Sequence, residues 1–164
     1  MKRTLLLLST LLGLVPAPRL SAQFFAFGQN KIQYRDFDWR VRKGPHVDIY
    51  YYPAEAELAS VALDYAEASY DTLALRFGHE AGARIPLIVY ASHVDFEQTN
   101  VLPFTPPEQL LGATDFLKRR VTLPFRGSLA EFRHTLRHEL THVFQLSIPT
   151  EAYYQSPRGG QVQL

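Results

Sequence analysis

Apolar residues along this chain follow two different periods. From Glu55 to Phe77, Leu58, Val61, Ala62, Tyr65, Ala68 and Leu73 recur at helical spacing, interrupted on that side by Ser69 and Arg76. Pro53 suits a helix start and Gly78 suits the cap after the last turn. A second helix is predicted from Ser128-Leu129-Ala130-Glu131, which reads as a capping box, to about Ser147, before Pro149. At 100° per residue, Phe132, Leu136, Leu140, Val143 and Phe144 fall largely on one side of it. Ser92 to Asp95 resembles the capped start of a short helix.

Other stretches have the period or composition of strands. Ile32 to Val41 alternates in part, with Phe37, Trp39 and Val41 on one side. His46 to Tyr52 is rich in Val, Ile and Tyr, after a break at Gly44-Pro45. Ile85 to Tyr90 is a short apolar run that reads as a buried strand, with Pro86 near its start or at an edge. Gly112 to Leu117 and Arg120 to Phe125 read as two strands joined at Lys118-Arg119. Pro124 marks the second as an edge strand or as ending there. The order β-β-α-β-α-β-β-α predicts an α+β fold: a small mixed sheet with an edge strand beside the last helix.

The first residues change the domain count. Met1-Lys2-Arg3 is a basic start, Leu5 to Val15 is mostly apolar, and Leu20-Ser21-Ala22 offers a small-residue cleavage site. That predicts a signal peptide over residues 1–22 and an exported protein, periplasmic or extracellular. The apolar run is shorter than the roughly 20 residues of a membrane span, and no transmembrane segment is expected in the mature chain. Residues 23–164 are then one domain. The chain has no cysteine, so any metal ligands must be His, Asp or Glu. With a formal net charge of +1 and only the short run Lys118 to Arg120, a nucleic-acid partner is not expected.

The last helix carries the chemistry. His138-Glu139-Leu140-Thr141-His142 has the H-E-x-x-H pattern, with two imidazoles one turn apart on one face. His138 and His142 are the expected zinc ligands, and Glu139 the expected general base for a metal-activated water. Both histidines lie opposite the apolar stripe, with His134, Thr141 and Gln145 close by. Zinc hydrolases use three protein ligands. The extended H-E-x-x-H-x-x-G-x-x-H pattern fails, because its later positions are Gln145 and Ile148. No Asp follows Asp115, and Glu151 stands too soon after His142 for a second helix to turn back. His134, His138 and His142 span roughly 12 Å of axis, too far for one ion to meet all three. The third ligand is expected beyond Leu164, with the domain incomplete at its C-terminus. His46, His79 and His93 read as ordinary surface or strand-end residues.

Phe27-Gly28-Gln29-Asn30-Lys31, His46 to Pro53, Arg120 to Pro124 and His134 to Gln145 together resemble the N-terminal part of gluzincin-type "peptidase MA-like" domains of exported bacterial proteins. The resemblance spreads over most of the mature chain and implies a zincin-like subdomain. It implies a metallopeptidase that hydrolyses peptide bonds in a peptide or protein substrate. It also implies that Arg120 to Phe125, ahead of the active helix, lines the substrate cleft. Similar proteins take a glutamate ligand from a later helix, often in a Glu-Gly-x-Ala-like motif, and some continue into a β-propeller. The alternative is a non-catalytic exported binding domain with a partial or degenerate zinc site.

Overall fold

Alternate residues of three parallel strands face one core, and two helices lie over them. The computed structural model describes residues 33–115 and 117–155, with side chains through Pro149. The expected signal peptide and Phe27 to Lys31 lie outside the described residues. The elements run β1 (Arg40–Lys43), β2 (Val47–Tyr51), a 3-10 turn (Pro53–Glu55), α1 (Ala56–Phe77), β3 (Ile85–Tyr90), α2 (His93–Phe96), β4 (Ala113–Asp115), β5 (Arg120–Pro124) and α3 (Leu129–Gln155). The fold is α+β, with a five-stranded mixed sheet in the order β1-β2-β3-β5-β4. β2 and β5 flank β3 in parallel, while β1 and β4 are antiparallel edges.

Val47 and Ile49 of β2, Ile85, Leu87 and Val89 of β3, and Val121 and Leu123 of β5 are buried on one face. They meet Leu58, Ala59, Ala62, Ala66, Tyr70 and Leu73 of α1, and Phe132, Leu136, Leu140, Val143 and Phe144 of α3. Alanine at 59, 62 and 66 lets α1 approach the sheet closely. Each fully buried large aliphatic or Phe side chain contributes about 1.5–3 kcal/mol relative to exposure. Leu140, the middle residue of the H-E-x-x-H pattern, is among them, so core packing fixes the rotation of α3.

A smaller cluster, Tyr52, Tyr90 and Phe96 with Phe37, Ile88, Leu102 and Leu110, lies apart from that core. The Tyr52 hydroxyl donates to Asp95 Oδ2 (2.7 Å) and accepts from the Ala91 amide (2.6 Å). Burial, and then the Asp95 carboxylate, push the Tyr52 hydroxyl pKa far up. Arg35 also meets Asp95, at 3.1 Å.

Caps set most boundaries as the sequence implies. Gly78 closes α1 at φ 60, and Ser92 Oγ accepts from the Asp95 amide. Pro86 is the second residue of β3 and pairs only on the β2 side, because the β5 ladder begins at Leu87. Three expectations are corrected. The first strand is confined to Arg40–Lys43, because it begins only where its residues come opposite Tyr51, the last residue of β2. Arg120–Pro124 is not an edge, since it lies between β3 and β4; the other outcome expected of Pro124 holds, because the strand ends there. The edge beside α3 is Ala113–Asp115. Finally, α3 continues through Pro149 to Gln155 instead of stopping at Ser147. A proline removes one helical N–H and can kink a helix without ending it. Among the described residues no helix is long and apolar enough to cross a membrane.

Candidate metal centre

The site is assembled from the middle of α3 and the edge strand β4. Ser128 starts the helix, its Oγ accepting from the Glu131 amide at 3.3 Å. With Leu136, Leu140, Val143 and Phe144 committed to the core, His138 and His142 are turned to the opposite, open side. Their Nε2 atoms face each other at 3.1 Å, with ring planes at 89° and centroids 4.7 Å apart. Two nitrogens bound tetrahedrally to one zinc ion at about 2.0–2.1 Å would stand about 3.3 Å apart. The pair is therefore already near ligating separation. Without a cation between them, one Nε2 must carry a proton for the other to accept.

Gln145 sets the tautomer of one partner. Its Oε1 lies 3.0 Å from His142 Nδ1 and accepts from it. In neutral His142 the proton is then on Nδ1 and the lone pair on Nε2, the form that binds a metal. This donor set fits zinc: two imidazole nitrogens converge, and one is backed by an amide oxygen. His134 lies one turn earlier and is exposed. Glu151 lies in α3 beyond the last described side chain. Among the described residues no group of three His, Asp or Glu converges.

Glu139 points to the side of α3 that meets β4 and is only 7% exposed. Thr114 Oγ1 lies 2.7 Å from Glu139 Oε2 and 3.1 Å from the Glu139 carbonyl oxygen. Gly112 allows this approach. A Cβ there would stand 2.5 Å from Leu123 Cδ2, and 3.1 Å from both Glu139 Cγ and Thr135 Cγ2.

The β4–β5 hairpin is closed by charge. Asp115 Oδ2 accepts from Arg120 Nη2 at 2.7 Å and Nε at 3.1 Å, and Asp115 Oδ1 accepts from the Leu117 amide at 3.0 Å. Burial alone would raise the Asp115 pKa. The Arg120 guanidinium and the Leu117 and Lys118 amides outweigh it and hold the carboxyl below its ordinary value. Arg119 takes φ 51 at the turn, and its guanidinium donates to the Ala81 carbonyl.

His46, His79 and His93 are partly buried, and His46 directly precedes β2, as a strand-end residue. His46 Nδ1 lies 2.8 Å from Glu67 Oε2, and its ring stacks on Tyr70 at 4.0 Å. His79 Nε2 lies 2.9 Å from Ser147 Oγ. His93 is 15% exposed at its side chain and lies against the Phe96 ring.

His138, Glu139 and His142 are thus placed as the helical spacing requires. Thr114 and Gly112 were missed in the sequence, since only the pairing of β4 with β5 brings them to α3. Their signal is faint: a glycine and a threonine two apart, in a strand-like stretch ahead of the helix. No family model, curated protein or solved structure matches this chain.

Proposed function

We propose that this chain forms the two-histidine and glutamate half of a zinc peptidase site, in an exported protein of the peptidase MA-like kind. The observation that carries the reading is the convergence of His138 and His142 Nε2 at 3.1 Å, one residue from a buried Glu139. His138 and His142 would hold the ion through Nε2, with a third ligand from outside the described residues. Zinc, when bound, supplies a Lewis acid that polarises the scissile carbonyl and acidifies water.

Glu139 supplies the proton traffic. Its carboxylate takes a proton from the attacking water as the new C–O bond forms, then delivers it to the leaving amine as the C–N bond breaks. The outer edge of β4, unpaired among the described residues, would offer main-chain N–H and C=O groups to an extended peptide. This role moves from Arg120–Pro124, which is an inner strand, to Ala113–Asp115.

Zinc content and peptide hydrolysis of the full-length protein test the reading together. Near-stoichiometric zinc should be lost in His138→Ala and His142→Ala. Glu139→Gln should keep the zinc and lower hydrolysis by at least about a hundredfold. Zinc retained by both histidine variants, or wild-type cleavage by Glu139→Gln, overturns it. Zinc bound without hydrolysis of any peptide supports the non-catalytic binding domain instead.

A further inference from the structure

Thr114 is the middle residue of the outermost strand, paired with Val121 on its inner side. A hydroxyl has one proton to give. Of its two near acceptors, the Glu139 carboxylate oxygen at 2.7 Å is closer than the Glu139 carbonyl at 3.1 Å. An O–H···O⁻ bond of that length is charge-assisted and among the stronger kinds. It ties a flexible side chain, nearly shut off from water, to a fixed point on the sheet. Gly112 adds to this, since its missing Cβ lets the strand reach Glu139 Cγ.

We infer that Thr114 is a positioning residue for the proposed hydrolysis. Its hydroxyl occupies Glu139 Oε2 and fixes the side-chain rotamer, leaving Oε1 to exchange protons with water and leaving group. The strand that would bind the peptide main chain is therefore the same one that aims the base. Three residues of β4 set both substrate height and carboxylate direction, which keeps the two in register. The inference rests on the peptidase reading. The competing account is that the bond merely docks β4 on α3.

Thr114→Val removes the donor and keeps the branched shape, while Thr114→Ser keeps the donor. The full-length protein and both variants are compared in zinc content, in kcat and KM separately, and in the infrared carboxylate band assigned by difference from Glu139→Gln. In Thr114→Val, kcat should fall about ten- to a hundredfold. KM should stay within about twofold and zinc content should be unchanged, as expected when an interaction made at the transition state is lost. The antisymmetric carboxylate stretch should move up with loss of the hydrogen bond. Thr114→Ser should restore the band and most of kcat. An unmoved band or full kcat in Thr114→Val overturns the inference. So does a joint loss of zinc, KM and thermal midpoint, which would mark a docking contact. If zinc-loaded wild type cleaves no peptide, the peptidase reading fails. In that case a shifted band with zinc retained still upholds Thr114 as the group that fixes Glu139.

Discussion

Two corners of this molecule are built from the same residue types, yet one is saturated and the other is open. At the first, Glu67 on α1 accepts from the His46 and Val47 amides at 3.0 Å, and its other oxygen meets His46 Nδ1. Gly44 lies against it, where a Cβ would overlap Glu67 Oε1 and stand 2.6 Å from Leu63 Cδ1. At the second, Gly112 lies against Glu139. Among the described residues its carboxylate receives one donor, Thr114, and the histidines face each other instead of the glutamate. A carboxylate whose oxygens are all taken by fixed donors holds chain segments together. A carboxylate with one oxygen fixed, beside two converging imidazoles, has capacity left for chemistry. Spatial arrangement, not residue type, separates the two corners.

The sharpest way to break this comparison is to remove a histidine from each corner. His46→Ala should leave zinc content at the wild-type level, in contrast with the loss expected of His138→Ala. Its effect should be on stability, a loss of about 1–3 kcal/mol in denaturant unfolding, because Glu67 keeps its amide donors but loses the imidazole. Zinc lost equally from both variants would erase the distinction.

The glycines offer a second contrast, of similar size in stability and smaller in its effect on the site. Gly44→Ala and Gly112→Ala should each cost about 1–3 kcal/mol through overpacking, read as a lower unfolding midpoint. Only Gly112→Ala should also lower hydrolysis beyond what stability explains, since it presses on Glu139. Equal activity per folded molecule in the two variants would count against an open second corner.

The smallest effect concerns the hairpin that carries β4. The folded pKa of Asp115 is held below its ordinary value of 3.8. Its contribution is therefore present above the unfolded pKa and is lost as pH falls through the lower, folded value. Asp115→Asn should flatten the acid limb of a stability–pH curve below about pH 4 and lower stability slightly at neutral pH. An acid limb of unchanged steepness would show that the Arg120 pair is neutral in effect.

How much of this was legible depended on how local each feature is. α1 with its Gly78 stop, β3, and the Ser92 and Ser128 starts follow from period and capping chemistry within a few residues. The convergence of His138 and His142 is an i, i+4 relation, written directly into helical geometry. Strand order is a different kind of fact. That β5 lies inside and β4 outside depends on how the chain returns from β3 to the β4–β5 hairpin, and Pro124 marks a strand end without saying whether that strand is an edge. Thr114 lies 25 residues from Glu139, so their contact exists only once the sheet is laid on α3. His46 and Glu67 are 21 residues apart and were hidden for the same reason. Pro149 misled in the other direction, because a proline removes one helical N–H without having to end the helix.

Among the described residues the sheet has two unpaired margins, β1 and β4, and they are defended differently. β1 displays Arg40, Arg42 and Lys43 along four residues, with Val41 exposed among them. Such charges discourage strand addition by copies of the chain, which is how many sheets avoid aggregating. β4 has no such guard: it is three residues long, and its one charge is committed to Arg120. Its protection is brevity, which gives little purchase to a long strand. Salt weakens an ionic defence and leaves a geometric one untouched. Added salt should therefore favour strand addition at β1, the margin farthest in the sheet from β4.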